Sequence, residues 1–423
     1  MDKVNLFKNS TIVDFRRLIA FFFPTVSEWA WEARWLRWLT LLWLFVGLMT
    51  LFSASYPIAD ADFGDGLYYF KRQILWVAVG WVVFCFSVNF PLRYLLGTAH
   101  WWLLVLLGLI LFTLIPGVGK TALGATRWIS IGIIPIQPSE LIKPFLVLQS
   151  ARIFGQWDRL SWTIRGRWLA IFCLLLLGIL LQPNLSTTAL CGLTLWLIAL
   201  AAGLPYSYLG ATALGGLLLA TISVSFREYQ RRRIMSFLNP WVDPTGDGYQ
   251  LIQSLLAVGS GGTFGTGLGN SQQKLFYLPI QYTDFIFSVF AEEFGFVGSL
   301  LLLLLLVVYG IFAMVVVVKA RTQIHSLVAT GAMILMVGQS LLNIGVSTGV
   351  LPTTGLPLPL FSYGGSSMIS SLLTAGLLIR VARENSEAKV VSFRTEETKK
   401  GDRLFFQGEG RRSQKQRDRN REE

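Results

Sequence analysis

Long apolar runs restrict the fold of this chain more than any other feature of its sequence. Roughly ten segments, most of them about 16–24 residues long, are apolar enough to cross a bilayer as helices. They lie near residues 36–55, 73–91, 99–116, 138–155, 168–182, 186–203, 206–225, 285–318, 326–349 and 365–383. With 53% hydrophobic and 14% charged residues, a water-soluble fold would expose too much apolar surface. The sequence therefore predicts an all-α polytopic membrane protein.

The distribution of basic residues predicts how the chain crosses the membrane. An even number of spans puts both ends on one side, and the tails and several loops rich in Lys and Arg favour the cytoplasm. We expect a cytoplasmic tail with an interfacial segment at 1–33, a membrane domain at 34–383, and a charged, disordered cytoplasmic tail at 384–423. The net charge of +12 follows from this bias and does not indicate nucleic acid.

The three cysteines, Cys85, Cys173 and Cys191, all lie inside apolar runs. They show no metal-ligand spacing and no disulfide pattern, so we expect buried small hydrophobic side chains. The segment GVGKT at 117–121 resembles a phosphate loop, but the full motif needs a glycine where Leu114 stands. We therefore reject a nucleotide site there.

One long polar segment, at 226–284, interrupts the apolar pattern between the seventh and eighth predicted spans. It should lie outside the cell, where insertion bias disfavours basic residues. Each basic residue there either pairs with an outer carboxylate or binds an anion. For the cluster Arg231, Arg232 and Arg233 we favour binding of a lipid-linked phosphate, because guanidinium groups grip phosphate oxygens well. The other basic residues expected on this side are Lys71, Arg72, Lys120, Arg127, Arg227 and Lys274.

Asp284 stands where this polar segment returns to apolar sequence. It could cap the following helix, or it could act as a general base in a partly dry cavity beside arginines. The glycine-rich segment GSGGTFGTGLG and the bent segment LPTTGLPLPLFSYGGSS could each serve backbone packing alone, but their combination with Asp284 favours a substrate cavity. Glu292 and Glu293, about two turns further along, are expected to form hydrogen bonds across helices.

Glu140 and Lys143 lie just inside a helix that begins at QPSE. Their spacing of three residues lets them neutralise each other. Ionisable groups inside a span are rare and are usually functional. Two hypotheses stay open: a structural ion pair between helices, or a Lys143 side chain that reaches an outward cavity and binds substrate.

Several long motifs then resemble one family. RWISIGIIPIQPSELIK, SFLNPWVDPTGDGYQLIQSLLAVGSGGTFGTGLGNSQQKLFYLPIQYTDFIF, AEEFG and LPTTGLPLPLFSYGGSS are similar to the SEDS proteins (shape, elongation, division and sporulation). The resemblance covers roughly residues 36–383 and is nearer to the division branch than to the elongation branch. It implies ten membrane spans and a peptidoglycan glycosyltransferase that polymerises lipid II outside the cytoplasmic membrane, at the division septum.

The resemblance also implies roles for individual residues and partners. The essential aspartate of the family falls on Asp284, which would take the proton from the acceptor GlcNAc 4-hydroxyl. The glutamate and lysine of the fourth helix fall on Glu140 and Lys143. Undecaprenyl pyrophosphate would be the leaving group. Its negative charge would be stabilised by Arg231–Arg233, Arg72 or Lys143, and a divalent cation (Mg²⁺ or Mn²⁺) is a further candidate. A class B penicillin-binding protein, other division proteins and membrane lipids are the implied partners.

Two positions depart from the family pattern. Where the family commonly has QPDLGT, this chain reads QPNLST with Asn184, so that carboxylate is not a required base or metal ligand here. The usual HTDF is YTDF, with Tyr282 in place of histidine. The alternatives to a septal polymerase are a lipid II flippase using Glu140 and Lys143 as a relay, an elongation-type polymerase, and a non-catalytic scaffold.

Overall fold

The chain is nearly all helical, as the apolar runs predict. A computed structural model describes residues 29–115, 120–122, 125–131, 134–226 and 228–386. The long helices are α1 (Trp31–Phe63), α2 (Tyr68–Asn89), α3 (Leu92–Phe112), α4 (Pro138–Phe154), α5 (Trp162–Leu181), α6 (Leu185–Ala201), α7 (Tyr206–Phe226), α10 (Ile286–Val318), α11 (Gln323–Ser347) and α12 (Gly365–Ser386). Two shorter helices, α8 (Glu228–Leu238) and α9 (Tyr249–Ser260), lie between α7 and α10.

Eight helices within the described ranges are long and apolar enough to cross a membrane. The other two predicted spans correspond to α4 and α6, which have 17 residues each. The chain is therefore an integral membrane protein, while the count of ten crossings stays a prediction. Of the predicted tails at 1–33 and 384–423, residues 1–28 and 387–423 lie outside the described residues, as do Arg227 and most of GVGKT. Residues 31–33 begin α1 and residues 384–386 end α12, so the membrane helices extend a few residues into both predicted tails.

The helix α12 lies at the centre of the bundle and α7 lies at its edge. In α12, 83% of the apolar window is buried, whereas in α7 only 6% is buried. The buried face of α12 includes Leu372, Leu377 and Leu378, which pack against the other spans. Because lipid tails are as apolar as leucine, the exposed face of a helix such as α7 needs no protein cover in a bilayer.

The helix α10 carries a sharp kink near its beginning. Gly295 has φ 66° and ψ −164° inside an otherwise helical segment of 33 residues. A Cβ atom there would lie 2.3 Å from the backbone nitrogen of Gly265, so only glycine allows the glycine-rich loop to touch the kink. The kink separates the short first part of the helix, which follows Asp284 in the chain, from the long apolar part.

A small antiparallel sheet before α4 was not predicted. Its strands are β1 (Lys120–Ala122), β2 (Ala125–Ile131) and β3 (Ile134–Ile136), in the order β1-β2-β3. In β2 and β3, Ile129 pairs with Ile136 and Ile131 with Ile134. The segment is rich in isoleucine, and its apolar residues alternate with polar ones, which is typical of a strand. It is too short to be recognised as a separate element between two predicted spans.

The cysteine prediction is correct for two residues and wrong for the third. Cys85 and Cys191 are buried, but Cys173 is exposed on the outer surface of α5. An apolar run marks a membrane span and does not show which side of the helix faces lipid. A thiol tolerates a lipid-facing position because it behaves as a small hydrophobic group.

Candidate active site

Asp284 lies in a loop immediately before α10, at one end of the helix bundle. Its side chain is half-buried, and its backbone carbonyl accepts a hydrogen bond of 2.8 Å from the Asn343 amide. Burial raises the pKa of the Asp284 carboxyl, while the positive charges of Arg233 and Arg127 act in the opposite direction. A carboxyl in this environment is better suited to exchange protons near neutral pH than an exposed aspartate.

The guanidinium of Arg233 and the carboxyl of Asp284 flank the same glycine. A Cβ atom on Gly355 would lie 3.2 Å from Asp284 Oδ2 and 3.8 Å from Arg233 Nη1. Gly355 has φ +70°, a conformation that favours glycine. Arg233 also donates a 3.3 Å hydrogen bond to the carbonyl of Thr353. The proline-spaced segment before α12 thus brings backbone close to both charged groups without filling the space between them.

Arg127 is a second cation of this site, and the sequence did not identify it as one. It lies on β2 and donates from Nε to the carbonyl of Gln182 at 3.2 Å, and from Nη2 to the carbonyl of Pro183. Its charge lowers the pKa of Asp284. The turn it holds contains Asn184, whose side chain accepts a hydrogen bond from Thr187 N at the start of α6. Asn184 therefore caps the start of α6, a role that an asparagine side chain fulfils without a carboxylate.

The predicted arginine cluster is divided by the helix that carries it. Arg231 and Arg232 are exposed, whereas Arg233 is half-buried and faces Asp284. Arg232 pairs with Glu228 at 2.5 Å and lies 3.9 Å from Asp247. Successive residues of a helix point about 100° apart, so three neighbouring arginines cannot face one cavity. Substrate binding by Arg231 and Arg232 stays a prediction without support from their positions.

Glu140 and Lys143 form a buried ion pair inside the bundle. Lys143 Nζ lies 2.7 Å from Glu140 Oε1, and the two side chains are 3% and 5% exposed. Lys143 also donates to Gln339 Oε1 at 3.2 Å, and Gln339 donates to the carbonyl of Pro357 at 2.7 Å. This geometry agrees with the ion-pair hypothesis. Substrate binding by Lys143 stays a prediction.

One helix connects this ion pair to Asp284. Gln339 contacts Lys143, and Asn343, one turn further along α11, donates to the carbonyls of both Asp284 and Leu356 at 2.8 Å. A π-helical turn at Ile334–Gly338 precedes them, and such turns are frequent at functional sites. Neither amide was identified from the sequence, because nothing in the local pattern shows which distant loops an amide will bind.

Arg72 lies beside the site in an aromatic environment. Its guanidinium stands 4.6 Å from the ring centroid of Tyr68, and its positive charge opposes the burial that raises the pKa of Tyr363. Of the other basic residues predicted to lie on this side, Lys71 pairs with Asp65 at 2.8 Å. For Lys71 the pairing hypothesis is correct.

The loop that ends at Asp284 is anchored by two buried carboxylates of α10. Glu292 accepts hydrogen bonds from Ser271 Oγ at 2.5 Å and from Gln272 N at 2.9 Å. Glu293 pairs with Lys274 at 2.7 Å and accepts from Ser53 of α1 at 2.5 Å. The prediction of hydrogen bonds across helices is confirmed for Glu293, which reaches α1, whereas Glu292 bonds to the loop.

The described residues do not form a preformed binding site for the candidate divalent cation. Among the described residues, no three His, Cys, Asp or Glu side chains form a group that could hold a metal ion. Mg²⁺ is commonly bound by one or two carboxylates together with substrate phosphates, and Asp284 fits that arrangement.

Together, the fold and this site define an integral membrane protein that holds a half-buried carboxylate within electrostatic range of two guanidinium groups. The model of the cell cycle protein family, which groups FtsW, RodA and SpoVE, matches residues 34–387. The chain belongs to this family, and the resemblance found in its sequence is confirmed.

Relatives and solved structures agree with this membership. The chain is 54% identical over 380 residues to the "Probable peptidoglycan glycosyltransferase FtsW" of Synechocystis sp., covering 90% of this chain and 96% of the relative. It is 38% identical to the stage V sporulation protein E of Bacillus subtilis, covering 82% and 95%. A chain of a peptidoglycan synthase complex superposes with a TM-score of 0.66 at 30% identity, covering 84% and 98%. The rod shape determining protein RodA of Thermus thermophilus gives 0.62 at 27%, covering 86% and 99%.

Proposed function

We propose that this chain is a peptidoglycan glycosyltransferase of cell division that polymerises lipid II into glycan strands. The observation that carries the proposal is the convergence of Asp284 with Arg233 and Arg127, in a family whose relatives are named for this activity. Higher identity to relatives named FtsW than to the RodA structure supports the division branch over the elongation branch.

The proposed reaction is a single displacement with inversion at the anomeric carbon of the donor. Asp284 accepts the proton of the acceptor 4-hydroxyl as that oxygen forms the new glycosidic bond. The bond from the anomeric carbon to the pyrophosphate oxygen breaks at the same time, and undecaprenyl pyrophosphate leaves. Arg233 and Arg127 stabilise the negative charge of the leaving group, because guanidinium groups bind phosphate oxygens through charge-assisted hydrogen bonds.

Two features support this mechanism: the raised proton affinity of the Asp284 carboxylate and the fixed positions of Arg127 and Arg233. Burial raises the pKa of Asp284, which matches a base to its working pH. Arg127 is held by backbone carbonyls of the turn before α6, and Arg233 by the carbonyl of Thr353. Cations that are already oriented need little reorganisation when charge develops on the leaving group.

For this reaction the site must face the outside of the cytoplasmic membrane. We expect both termini to lie in the cytoplasm. The match to a chain of a peptidoglycan synthase complex that coordinates polymerization and crosslinking supports a crosslinking partner, and we expect a class B penicillin-binding protein at the division septum. The enclosed Glu140–Lys143 pair, bonded to Gln339, favours a supporting role for these residues over a relay in a flippase.

Polymerisation of fluorescent lipid II by purified protein with its partner tests the proposal. General-base removal costs about 10²–10⁴-fold in rate, so Asp284→Asn is expected to lower polymerisation by that factor with unchanged thermal stability. Asp60→Asn, at an exposed carboxylate of α1, is the matched control and should retain wild-type rates. Wild-type polymerisation by Asp284→Asn would remove Asp284 from the mechanism. Translocation of lipid II in vesicles that hold protein without polymerase activity would instead favour the flippase.

A further inference from the structure

Four tyrosines from three separate segments meet beside Asp284. Tyr68 and Tyr69 begin α2, Tyr282 precedes Asp284 by two residues, and Tyr363 precedes α12. The rings of Tyr69 and Tyr282 stack at 4.7 Å, and Tyr363 meets Tyr69 edge-on at 5.1 Å and Tyr282 at 5.8 Å. Tyr68 meets Tyr69 at 5.5 Å. We call these four residues the tyrosine platform.

The tyrosine platform keeps features that a purely structural aromatic core would not need. All four rings are only half-buried, whereas large core side chains such as Trp43 and Phe361 are fully enclosed. The Tyr68 ring is contacted by Phe63, which stacks on it at 3.8 Å, and by the guanidinium of Arg72 at 4.6 Å. The platform therefore presents half-exposed tyrosine rings, their hydroxyl groups and one cation at a surface.

Backbone and side-chain contacts fix this platform relative to Asp284. The backbone nitrogen of Tyr363 donates to the carbonyl of Tyr282 at 2.9 Å. Ser362 Oγ donates to the carbonyl of Thr283 at 2.6 Å. The Gln73 side chain bridges the same loop, donating to Ser362 O at 3.3 Å and accepting from Gly364 N at 3.2 Å. A ligand on the platform would be held at a set position from the proposed base, which is what orientation for catalysis requires.

Saccharides suit this combination of groups. The C–H bonds on one face of a pyranose carry slight positive charge, and the faces of aromatic rings are negative. Phenol hydroxyls and a guanidinium supply hydrogen bonds for the hydroxyl and amide groups at the edge of the sugar. Phenols are neutral at physiological pH and can donate a hydrogen bond, and burial raises the pKa of Tyr282 and of Tyr363 further.

We propose that the tyrosine platform is a saccharide subsite that holds the acceptor sugar with its hydroxyl toward Asp284. This inference rests on the proposed function, whose acceptor it positions. Tyr282 would contribute its half-exposed ring to the contact with the sugar. The platform would then set affinity for the sugar-bearing substrate without taking part in proton transfer.

Binding measurements separate this inference from the catalytic proposal. Equilibrium binding of fluorescent lipid II to the Asp284→Asn protein, which does not consume the substrate, is compared with binding of undecaprenyl pyrophosphate, which lacks the sugar. Tyr69→Leu and Tyr282→Leu are expected to weaken lipid II binding by roughly two- to tenfold, the range of one aromatic contact. Binding of undecaprenyl pyrophosphate should not change.

Conservative variants keep the test independent of folding. Tyr69→Phe and Tyr282→Phe retain the rings and should restore most of the lipid II affinity and the KM, whereas the leucine variants raise KM with a smaller effect on kcat. Tyr94→Leu, at an exposed tyrosine that contacts Arg93, is the matched control. Unchanged lipid II affinity in the leucine variants, or equal weakening for both ligands, would overturn the subsite. The proposed function would still stand if Asp284→Asn alone abolished polymerisation.

Discussion

The buried pair of Lys274 and Glu293 gives the sharpest prediction about stability. Lys274 Nζ lies 2.7 Å from Glu293 Oε1 and 2.7 Å from Ser53 Oγ, and the two charged side chains are 5% and 0% exposed. The pair joins α1, the loop and α10. The carbonyl of Lys274 also accepts a 3.1 Å hydrogen bond from Gln281, three residues before Asp284. Loss of the pair should therefore loosen the segment that positions the proposed base.

Lys274→Met leaves the Glu293 carboxylate buried without a cation. Removal of one partner of a buried ion pair costs about 3–5 kcal/mol. At roughly 2 °C per kcal/mol for a chain of this size, Tm should fall by about 6–10 °C. Thermal unfolding of the purified protein in detergent measures this change, and the polymerisation assay should show a parallel loss of rate.

The double variant Lys274→Met/Glu293→Leu distinguishes a lost charge partner from a lost packing contact. Replacement of a whole buried ion pair by apolar side chains is often neutral, so the double variant should regain most of the Tm lost by Lys274→Met. Lys71→Met, which removes an exposed cation paired with Asp65, should shift Tm by about 2 °C or less. If Lys274→Met also fell within that range, or the double variant were less stable than the single one, the electrostatic reasoning would be wrong.

Two further predictions concern the site itself. Because Asp284 must be ionised to accept a proton and burial raises its pKa, polymerisation should fall on acidification at a higher pH than for an ordinary aspartate. Arg233→Ala removes a charge that lowers this pKa, so the acidic limb of the pH–rate profile should move to higher pH, and move further than in the exposed Arg231→Ala. A limb that stayed in place would refute the coupling. Gly355→Ala adds a methyl group 3.2 Å from Asp284 Oδ2 at φ +70°. Alanine in this backbone conformation costs roughly 1–2 kcal/mol of strain, and the loss of polymerisation rate should be larger than this strain alone explains. Gly349→Ala, at the same φ but against Leu255, is the control, and equal rates in the two variants would contradict the prediction.

The sequence predicted the parts of this protein that depend on local pattern. Apolar length predicted the helices, and the spacing of three residues predicted the contact between Glu140 and Lys143, which lies at 2.7 Å. In the same way, the position of Asp284 at the end of a polar segment predicted its location before α10. These features need only the period of a helix and the thickness of a bilayer.

What the sequence did not predict depends on contacts between distant segments. The direction of each arginine in α8 follows from how that helix packs, so only Arg233 faces Asp284. Arg127 joins the site because β2 lies against the turn at Gln182 and Pro183. The Asn343 amide donates hydrogen bonds to the carbonyls of Asp284, 59 residues earlier in the chain, and of Leu356, 13 residues later. None of these contacts has a local signal in the chain.

Chemical rescue tests the central claim, that the Asp284 carboxylate itself accepts the proton. Polymerisation of lipid II by the purified Asp284→Ala protein with its partner is measured with and without added formate, a small carboxylate that can enter the space left by the side chain. The account predicts almost no glycan without formate and a concentration-dependent partial recovery with it, while Lys274→Met shows no such recovery. Glycan synthesis at the wild-type rate by Asp284→Ala in the absence of formate would contradict the account.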